Sequence, residues 1–558
     1  MNKPCRQCEK EFVVTDDDLE FYKKISPTFD GKTFEIPCPT LCPECRHIRR
    51  LSFRNDFNIY KNKSSLTGEN ILSVLSPDKN FIVYSNDEWW SDKWDPIDYG
   101  QEYDPSLSFF EQFKKLHRKV PRLNLNTDKL CEGCEFSNQI SRSKDCYLTS
   151  SSIDAERCMY SFRMIKTKDS VDCIFAMNCE LCYETIDSNG CYNCRYIQEC
   201  VNCRDSQFLF DCQGCSNCLI CKGLRNKSYY YKNKEISKEA FDALKKEIEL
   251  SGRKGIENRK KEFADFRKSL PVKFARLVST ENVTGHNIKN GKNSQNIFDG
   301  ENIENCSYGI NVNDSKDCMD VNFAAANSTM HLEVMCTGVD ANNILFSSDT
   351  WPNVANLIYC DSCSSNTTDC FGCIGLRHMK HCILNKQYTE EEYRKKVSEI
   401  INKMIEDGEW GEFFPHSISP FCYNESMAMN YFPLEKAEAE KLGASWQNNN
   451  YDADYEGDYY LPKENIQDYN DDTEREKLLS GIIKCEVSGK PFKILSKELA
   501  YYIQNKIPIP TKHYSVRLAE RFALRNPRKL WHRKCMNDGC QNEFDTTYSP
   551  VRPEKVYA

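Results

Sequence analysis

Between residues 131 and 221 the sequence places fifteen cysteines, and every separation between them is a multiple of three. The run begins at Cys131, Cys134 and Cys146 and ends in DCQGCSNCLICKG (211–223), where Cys212, Cys215, Cys218 and Cys221 stand three apart. The remaining positions of this phase hold Ser, Thr, Ala, Ile, Leu or Met, such as Ser143, Ala155, Met164 and Leu209, and none is charged. The other two phases carry the Asp, Glu, Lys and Arg. A row of small or apolar residues at fixed spacing is an inward face. A helix would need a period of about 3.6 and a half-buried strand about 2. A sustained period of three fits a β-solenoid of short rungs, each stacking its inward residues on the rung below. Asn, Asp, Gly and Ser between rungs supply the turns.

A second row follows. It runs in one phase from Gly285, Ile288 and Gly291 through Cys306, Cys318, Val321 and Ala324 to Cys336, Val339, Leu345, Val354, Leu357, Cys360 and Cys363, with Glu333 its only charge. A one-residue slip then carries Cys370, Cys373, Leu376, Met379 and Cys382. The spacing predicts coils of roughly 18–24 residues, near the short end of known repeat periods. Both ladders end alike. GLRNKSYYYKNKEISKEAF (223–241) aligns without gaps to GLRHMKHCILNKQYTEEEY (375–393), and helical sequence follows each, opened in the second by the capping box Thr389/Glu392. Such helices would cover the last rung, whose edge groups are otherwise unpaired.

Free cysteine is a small, often buried hydrophobe. The ladder exchanges it with Ser, Thr, Ile and Leu, which a ligand set would not tolerate. An iron–sulfur run also wants a wider last gap and a proline after the fourth cysteine, where Lys222 stands here. The structural reading therefore comes first, and a metal- or redox-handling ladder second. His378, His381 and Cys382 beside Cys370 and Cys373 make a weaker zinc suggestion, because the first copy has Asn226, Tyr229 and Tyr230 in the corresponding places.

The two ends are copies of each other. Cys5, Phe12, Leu19, Phe21 and Tyr22 match Cys485, Phe492, Leu499, Tyr501 and Tyr502, and Val83-Tyr84 matches Val556-Tyr557. In the first copy Cys5-x2-Cys8 and Cys42-x2-Cys45 form two knuckles 33 residues apart. Paired knuckles in a reduced protein point to an all-thiolate, tetrahedral structural zinc site, and a small module needs such a staple. Cys38 is left without a role. In the last copy Ser488 replaces the second cysteine and His513 stands where Cys42 stands. New cysteines at 535 and 540 allow a second site of Cys485, His513, Cys535 and Cys540. Arg46, Arg50 and Arg54 fall on Arg517, Arg521 and Arg525. Spaced by four, each set lines one face of a predicted helix. Eight Lys/Arg against one Glu between 511 and 534 suggest a grip on phosphates or on another partner. The alternatives are a solvated face or pairing with the acidic stretch 451–475.

Charge is otherwise near balance, at −8 for 558 residues, so no global polyelectrolyte character favours nucleic acid. No apolar run approaches the ~18 residues of a membrane span. MNKPCRQCEKEF has no apolar signal core, so a cytoplasmic location is expected, where 32 cysteines stay reduced. The expected fold is mainly β, two cysteine-rich triplet-repeat β-solenoids with helical caps between zinc-ribbon-like α+β modules. The parts are a module with a Trp-rich extension (1–100), a helical connector (101–130), the first ladder (131–233) and a helical cap and bridge (234–275) broken at Ser251-Gly252. The second ladder (276–388), a helical cap with an aromatic segment (389–446), a flexible acidic linker (447–480) and the degenerate module copy (481–558) follow. Trp89, Trp90 and Trp94 are expected to pack a junction.

The motifs CPECRHIRRLSFRN, WWSDKWD, CFGCIGLRHMKHCILNKQYTEEEY, GEFFPHSISPFCYNE and TTYSPVRPEKVY resemble those of cysteine-rich proteins from small-genome bacteria of the candidate phyla. Many of these carry the automatic label "CaiB/BaiF family". The resemblance spans nearly the whole chain and brings no activity with it. The label implies CoA transfer, which needs an α/β fold and a catalytic aspartate, and the triplet rows support neither. In that group a further C-x2-C follows the VY motif, where Ala558 stands here. The first functional reading is a non-enzymatic zinc-binding scaffold for a protein or nucleic-acid partner, with no small-molecule substrate evident. The second uses ladder cysteines for metal or redox work. The third is a solenoid carbohydrate-active enzyme with turn acids such as Asp169, Asp172, Asp205 and Asp211.

Overall fold

The computed structural model describes residues 1–324, 326–451 and 455–558. It is mainly β, with two large, mainly parallel sheets in which nearly every strand lies beside its neighbour in sequence. In the first sheet the register never changes: Ile140 faces Ser152, Phe162 faces Ile174, Thr185 faces Ile197 and Leu209 faces Cys221. The chain returns beside itself every 12 residues, as in the bond from Ala155 N to Ser143 Oγ. The coil is thus shorter than the roughly 18–24 residues expected from the repeat families. A coil of four triplets encloses little space, so only four inward side chains fit per turn.

Every third residue turns the corner in a left-handed conformation, with φ between +46° and +55° at Phe136, Gln139, Arg142, Asp145 and Leu148. That conformation costs a non-glycine residue about 1–2 kcal/mol and is tolerated best by Asn and Asp. In the second ladder Asn287, Asn290, Asn293 and Asn296 occupy it. The residue after each corner points inward. Its hydroxyl or thiol meets backbone that the corners leave facing the core. Ser143 Oγ donates to Ser141 O at 2.8 Å and accepts from Ala155 N at 3.0 Å. Cys158 Sγ lies 3.5 Å from Glu156 O and 3.3 Å from Thr167 O. Ser, Thr and Cys exchange along the row because each is small and carries a donor. Cys212, Cys215, Cys218 and Cys221 fill the four inward positions of a single turn.

The second ladder begins with the same period, seen in Cys306 N to Ser294 Oγ at a separation of 12. From residue 315 onward its registers lengthen: Ser315 faces Ser328, Thr329 faces Asn342, Ala341 faces Val354 and Ala355 faces Thr368. Each of these turns holds one extra corner residue and shifts the inward phase by one. The inward residues become Val334, Ala341, Ile344, Val354 and Leu357. The single slip expected near Cys370 is therefore the last of several, and Glu333, Cys336, Val339 and Leu345 leave the row. Glu333 instead faces outward into an ion pair, and Val339 is 40% exposed.

The helices Lys238–Leu250 and Glu390–Glu406 follow the ladders as caps, the second with the Thr389/Glu392 capping box. The first bridge breaks at Ser251-Gly252, where Gly252 takes φ +67°, and Gly252–Lys268 follows. The acidic stretch is not the flexible linker expected. Within its described part, Ile466, Tyr469 and Leu478 are buried, and Glu464 O accepts from Arg253 N. Residues 452–454 lie outside the described residues. Trp89, Trp90 and Trp94 pack a junction with Trp351 and Arg377. Among the described residues no helix is long and apolar enough to cross a membrane.

The docking of the parts is crossed. Phe109 of helix Phe109–Lys119, which precedes the first ladder, packs on Tyr359 and Phe371 of the second. Helix Gly252–Lys268, which precedes the second ladder, lays Phe263 and Arg267 on Phe208 and Phe210 of the first. Each then enters a short parallel pair with an end module: Arg122 beside Val83, and Val272 beside Val556.

Candidate metal centre

The first knuckle is the turn of a hairpin, Asn2–Pro4 with Glu11–Val13, closed by Cys5 N to Lys10 O at 3.0 Å. The second is the start of helix Pro43–Leu51, where Cys42 is the N-cap and Pro43, with no N–H to satisfy, opens the helix. Together they bring the sulfurs of Cys5, Cys8, Cys42 and Cys45 within 4.8 Å of one another. Cys8 and Cys42 are 3.7 Å apart, and Cys42 N donates to Cys5 Sγ at 3.3 Å. Four zinc–sulfur bonds of about 2.3 Å in a tetrahedron set sulfurs about 3.8 Å apart, so the donor set and the spacing fit the ion. Hydrogen bonding with Cys45 lowers the Cys42 thiol to about 5, while the same contact pushes Cys45 up. The cluster therefore sheds one proton readily and can present thiolate. Cys38 is partly buried against this cluster but is not one of the four.

The C-terminal copy does not repeat the site. Among the described residues the first cluster is the one group of three or more Cys, His, Asp or Glu gathered in this way, so Cys485, His513, Cys535 and Cys540 are not brought together. The three cysteines belong to two different hairpins and the histidine to a helix start. Cys485 sits in the turn of Ile483–Lys484 with Pro491–Phe492, and its Sγ accepts from Ser488 N. His513 caps helix Tyr514–Ala523 and lies against Phe492 and Tyr514. Cys535 and Cys540 lie in the turn joining Trp531–Lys534 to Glu543–Thr546. The same criterion leaves out His378, His381, Cys370, Cys373 and Cys382. His381 stands at a left-handed corner against Tyr393, while Cys370 and Cys373 face the ladder core.

The six arginines are placed against expectation. Arg46, Arg50 and Arg54 are 2%, 0% and 6% exposed, and Arg517, Arg521 and Arg525 are 8%, 3% and 7% exposed. They cannot present a charged face to phosphate, and they do not pair with the acidic stretch. Their partners are the chain's own ladders. Arg46 and Arg50 clamp Asp320 at 2.8 and 3.1 Å, and Arg50 reaches Glu333 at 2.6 Å. Arg517 and Arg521 clamp Asp172, each at 2.9 Å. Arg54 stacks on Phe323 and pairs with Asp56. Arg525 stacks on Phe175 and bridges Asp187 to Asp299 across the two ladders. Buried charges are tolerable only when paired in this way.

The acids considered for catalysis are engaged as well. Asp169 pairs with Arg157, Asp211 with Arg225, Asp205 accepts from Asn193, and Asp172 is the buried clamp. All four stand at left-handed corners, where Asp is favoured for backbone reasons. The sequence reading missed the roles of Asp172 and Asp320. The signal available was that both lie three residues before a phenylalanine, Phe175 and Phe323, although their distances from the aligned Gly223 and Gly375 differ because the later turns of the second ladder are longer. No protein-family model matches the chain, and comparison with curated proteins finds no similar one.

Proposed function

We propose that the protein is a non-enzymatic scaffold: two β-solenoids held side by side by zinc-ribbon-like end modules, with one structural zinc ion in the N-terminal module. The observation that carries this reading is the buried four-cysteine cluster, whose helix also supplies the arginines that hold the second ladder. Zinc at Cys5, Cys8, Cys42 and Cys45 would fix the start of that helix and so the reach of Arg46 and Arg50. The ion's chemistry there is closed coordination, since all four donors come from the chain. The outward faces of the solenoids, with their charged corner residues, would meet a protein partner in the cytoplasm. The likeness to cysteine-rich candidate-phyla proteins belongs to the same reading.

The test is metal content per chain on anaerobically purified protein, with a free-thiol count after denaturation. One zinc ion, lost in a Cys8→Ser/Cys45→Ser variant, and free ladder thiols are expected. Four or more metal ions, or iron with sulfide, would overturn the reading in favour of a metal-handling ladder.

A further inference from the structure

The two ladders enclose a cleft of about 710 Å³ between the column Arg163, Phe175, Asp187, Glu199 and the facing residues His286, Asp299 and Asn311. That volume lies in the range of small-ligand sites. The equivalent place on the other side of the molecule is nearly filled, at about 60 Å³. Counting coils back from the aligned Gly223 and Gly375, Glu199 corresponds to Asp349 and Val201 to Trp351. The matched parallel pairs make Val272 the counterpart of Arg122. Two valines therefore line the cleft where a tryptophan and an arginine close the other pocket.

The open cleft holds groups that the chain leaves unserved. The Arg163 guanidinium has no ion pair or hydrogen bond among the described residues, and it lies 5.8 Å from the centre of the Phe323 ring. The Glu199 carboxylate makes no hydrogen bond or ion pair among the described residues, and burial pushes it up to about 7 against the pull of Arg276 and Arg267. Behind them, Asn311 Oδ1 and His286 Nδ1 are buried and lack a hydrogen-bond partner among the described residues, which is rare for buried polar atoms. Asp187, Asp299 and Asp211 are already neutralised by arginines. Lys273 is exposed at the cleft wall, so the uncommitted charge is net positive. Coils stack at about 4.8 Å, which puts Arg163 and Glu199, three coils apart, about 14 Å from each other.

We propose that this cleft binds a short anionic saccharide, its carboxylate or phosphate on Arg163 and its hydroxyls donating to Glu199. The inference stands apart from the zinc site and the scaffold reading. Isothermal titration calorimetry on the full chain tests it, with trigalacturonate and fructose 1,6-bisphosphate as the carboxylate and phosphate probes and maltotriose as the neutral control. At least one anionic probe is expected to bind with Kd below about 1 mM, about tenfold or more tighter than maltotriose. Val201→Trp, which copies the closed pocket, and Arg163→Gln are each expected to weaken that binding about tenfold or more with circular dichroism unchanged. The proposal is overturned if neither anionic probe binds, if maltotriose binds equally well, or if whichever of the two variants folds keeps full affinity.

Discussion

The N-terminal module docks on the second ladder and the C-terminal module on the first, and the two junctions share several contacts, although Arg54 pairs with Asp56 of its own module where Arg525 bridges Asp187 and Asp299 of the ladders. Arg46 and Arg50 hold Asp320 as Arg517 and Arg521 hold Asp172. Asp18 receives the hydroxyl of Tyr308 as Glu498 receives that of Tyr160. Arg46 lies over Tyr308, and Arg517 over Tyr160. The cysteine cluster does not follow this pattern, for the C-terminal copy has Ser488, His513 and Val516 in three of its four places. The C-terminal clamp thus forms without a four-cysteine cluster beside it.

Removing the metal should break the comparison most visibly. Structural zinc sites in small peptides carry about 10–16 kcal/mol of apparent binding energy. A strong chelator is therefore expected to abolish hydrogen-exchange protection in residues 1–60 while leaving 481–546 unchanged. Equal loss in both modules would show that the clamp cannot act alone. Next come the clamps themselves. Asp172→Ala leaves two buried arginines, Arg517 and Arg521, without their carboxylate and should cost about 3–5 kcal/mol in chemical denaturation. Asp320→Ala should cost less, because Glu333 still pairs with Arg50, and equal costs would mean that Glu333 carries none of the clamp.

Acid should separate the halves again. His331 in the core of the second ladder and His117 beside Asp361 are buried, and desolvation lowers both to about 4. Their counterparts on the other side are Cys182 and Arg267. An unfolded histidine titrates near 6.5, so the stability these two supply is present above that pH. It is lost as pH falls from about 6.5 towards 4, because the unfolded chain takes up protons that the folded chain refuses. At pH 5 the loss should be about 2 kcal/mol each. Exchange measured at pH 7.5 and pH 5 should show the second ladder loosening first. The smallest effect belongs to the rows. Ser143→Ala leaves Ala155 N without its acceptor and should cost about 1 kcal/mol, measured by denaturant midpoint. Cysteine cannot match that short bond, so Ser143→Cys should recover little of it.

The period of three was legible because only inward positions must be small, and they recur at every triplet. The coil length was not, because the four sides of a turn carry the same kinds of residue and nothing in the row marks closure. The lengthened turns after Ser315 were hidden for a related reason. Each adds one residue at a corner, and several slips restore the original phase, so Glu333 and Cys336 seemed to continue a row they do not belong to. Cys5, Cys8, Cys42 and Cys45 stood out since their spacing is itself the geometry. The arginines misled because helical spacing shows that a face is charged but not what it meets. Their partners, Asp172 and Asp320, resemble any other corner aspartate. The cleft left no mark in the sequence, being made by what is absent, a bulky side chain at Val201 and at Val272.

The crossed docking has a consequence for how the molecule is made. Arg50 waits for Glu333, 283 residues downstream, and Arg521 must return to Tyr160 across 361 residues. At about 5–20 residues per second, synthesis leaves the N-terminal module unseated for roughly 15–60 s. During that interval its arginines and free thiols are exposed to the cell. Neither half can finish folding before the other has been translated, so a ribosome that stalls between the ladders releases a chain with no completed junction at all.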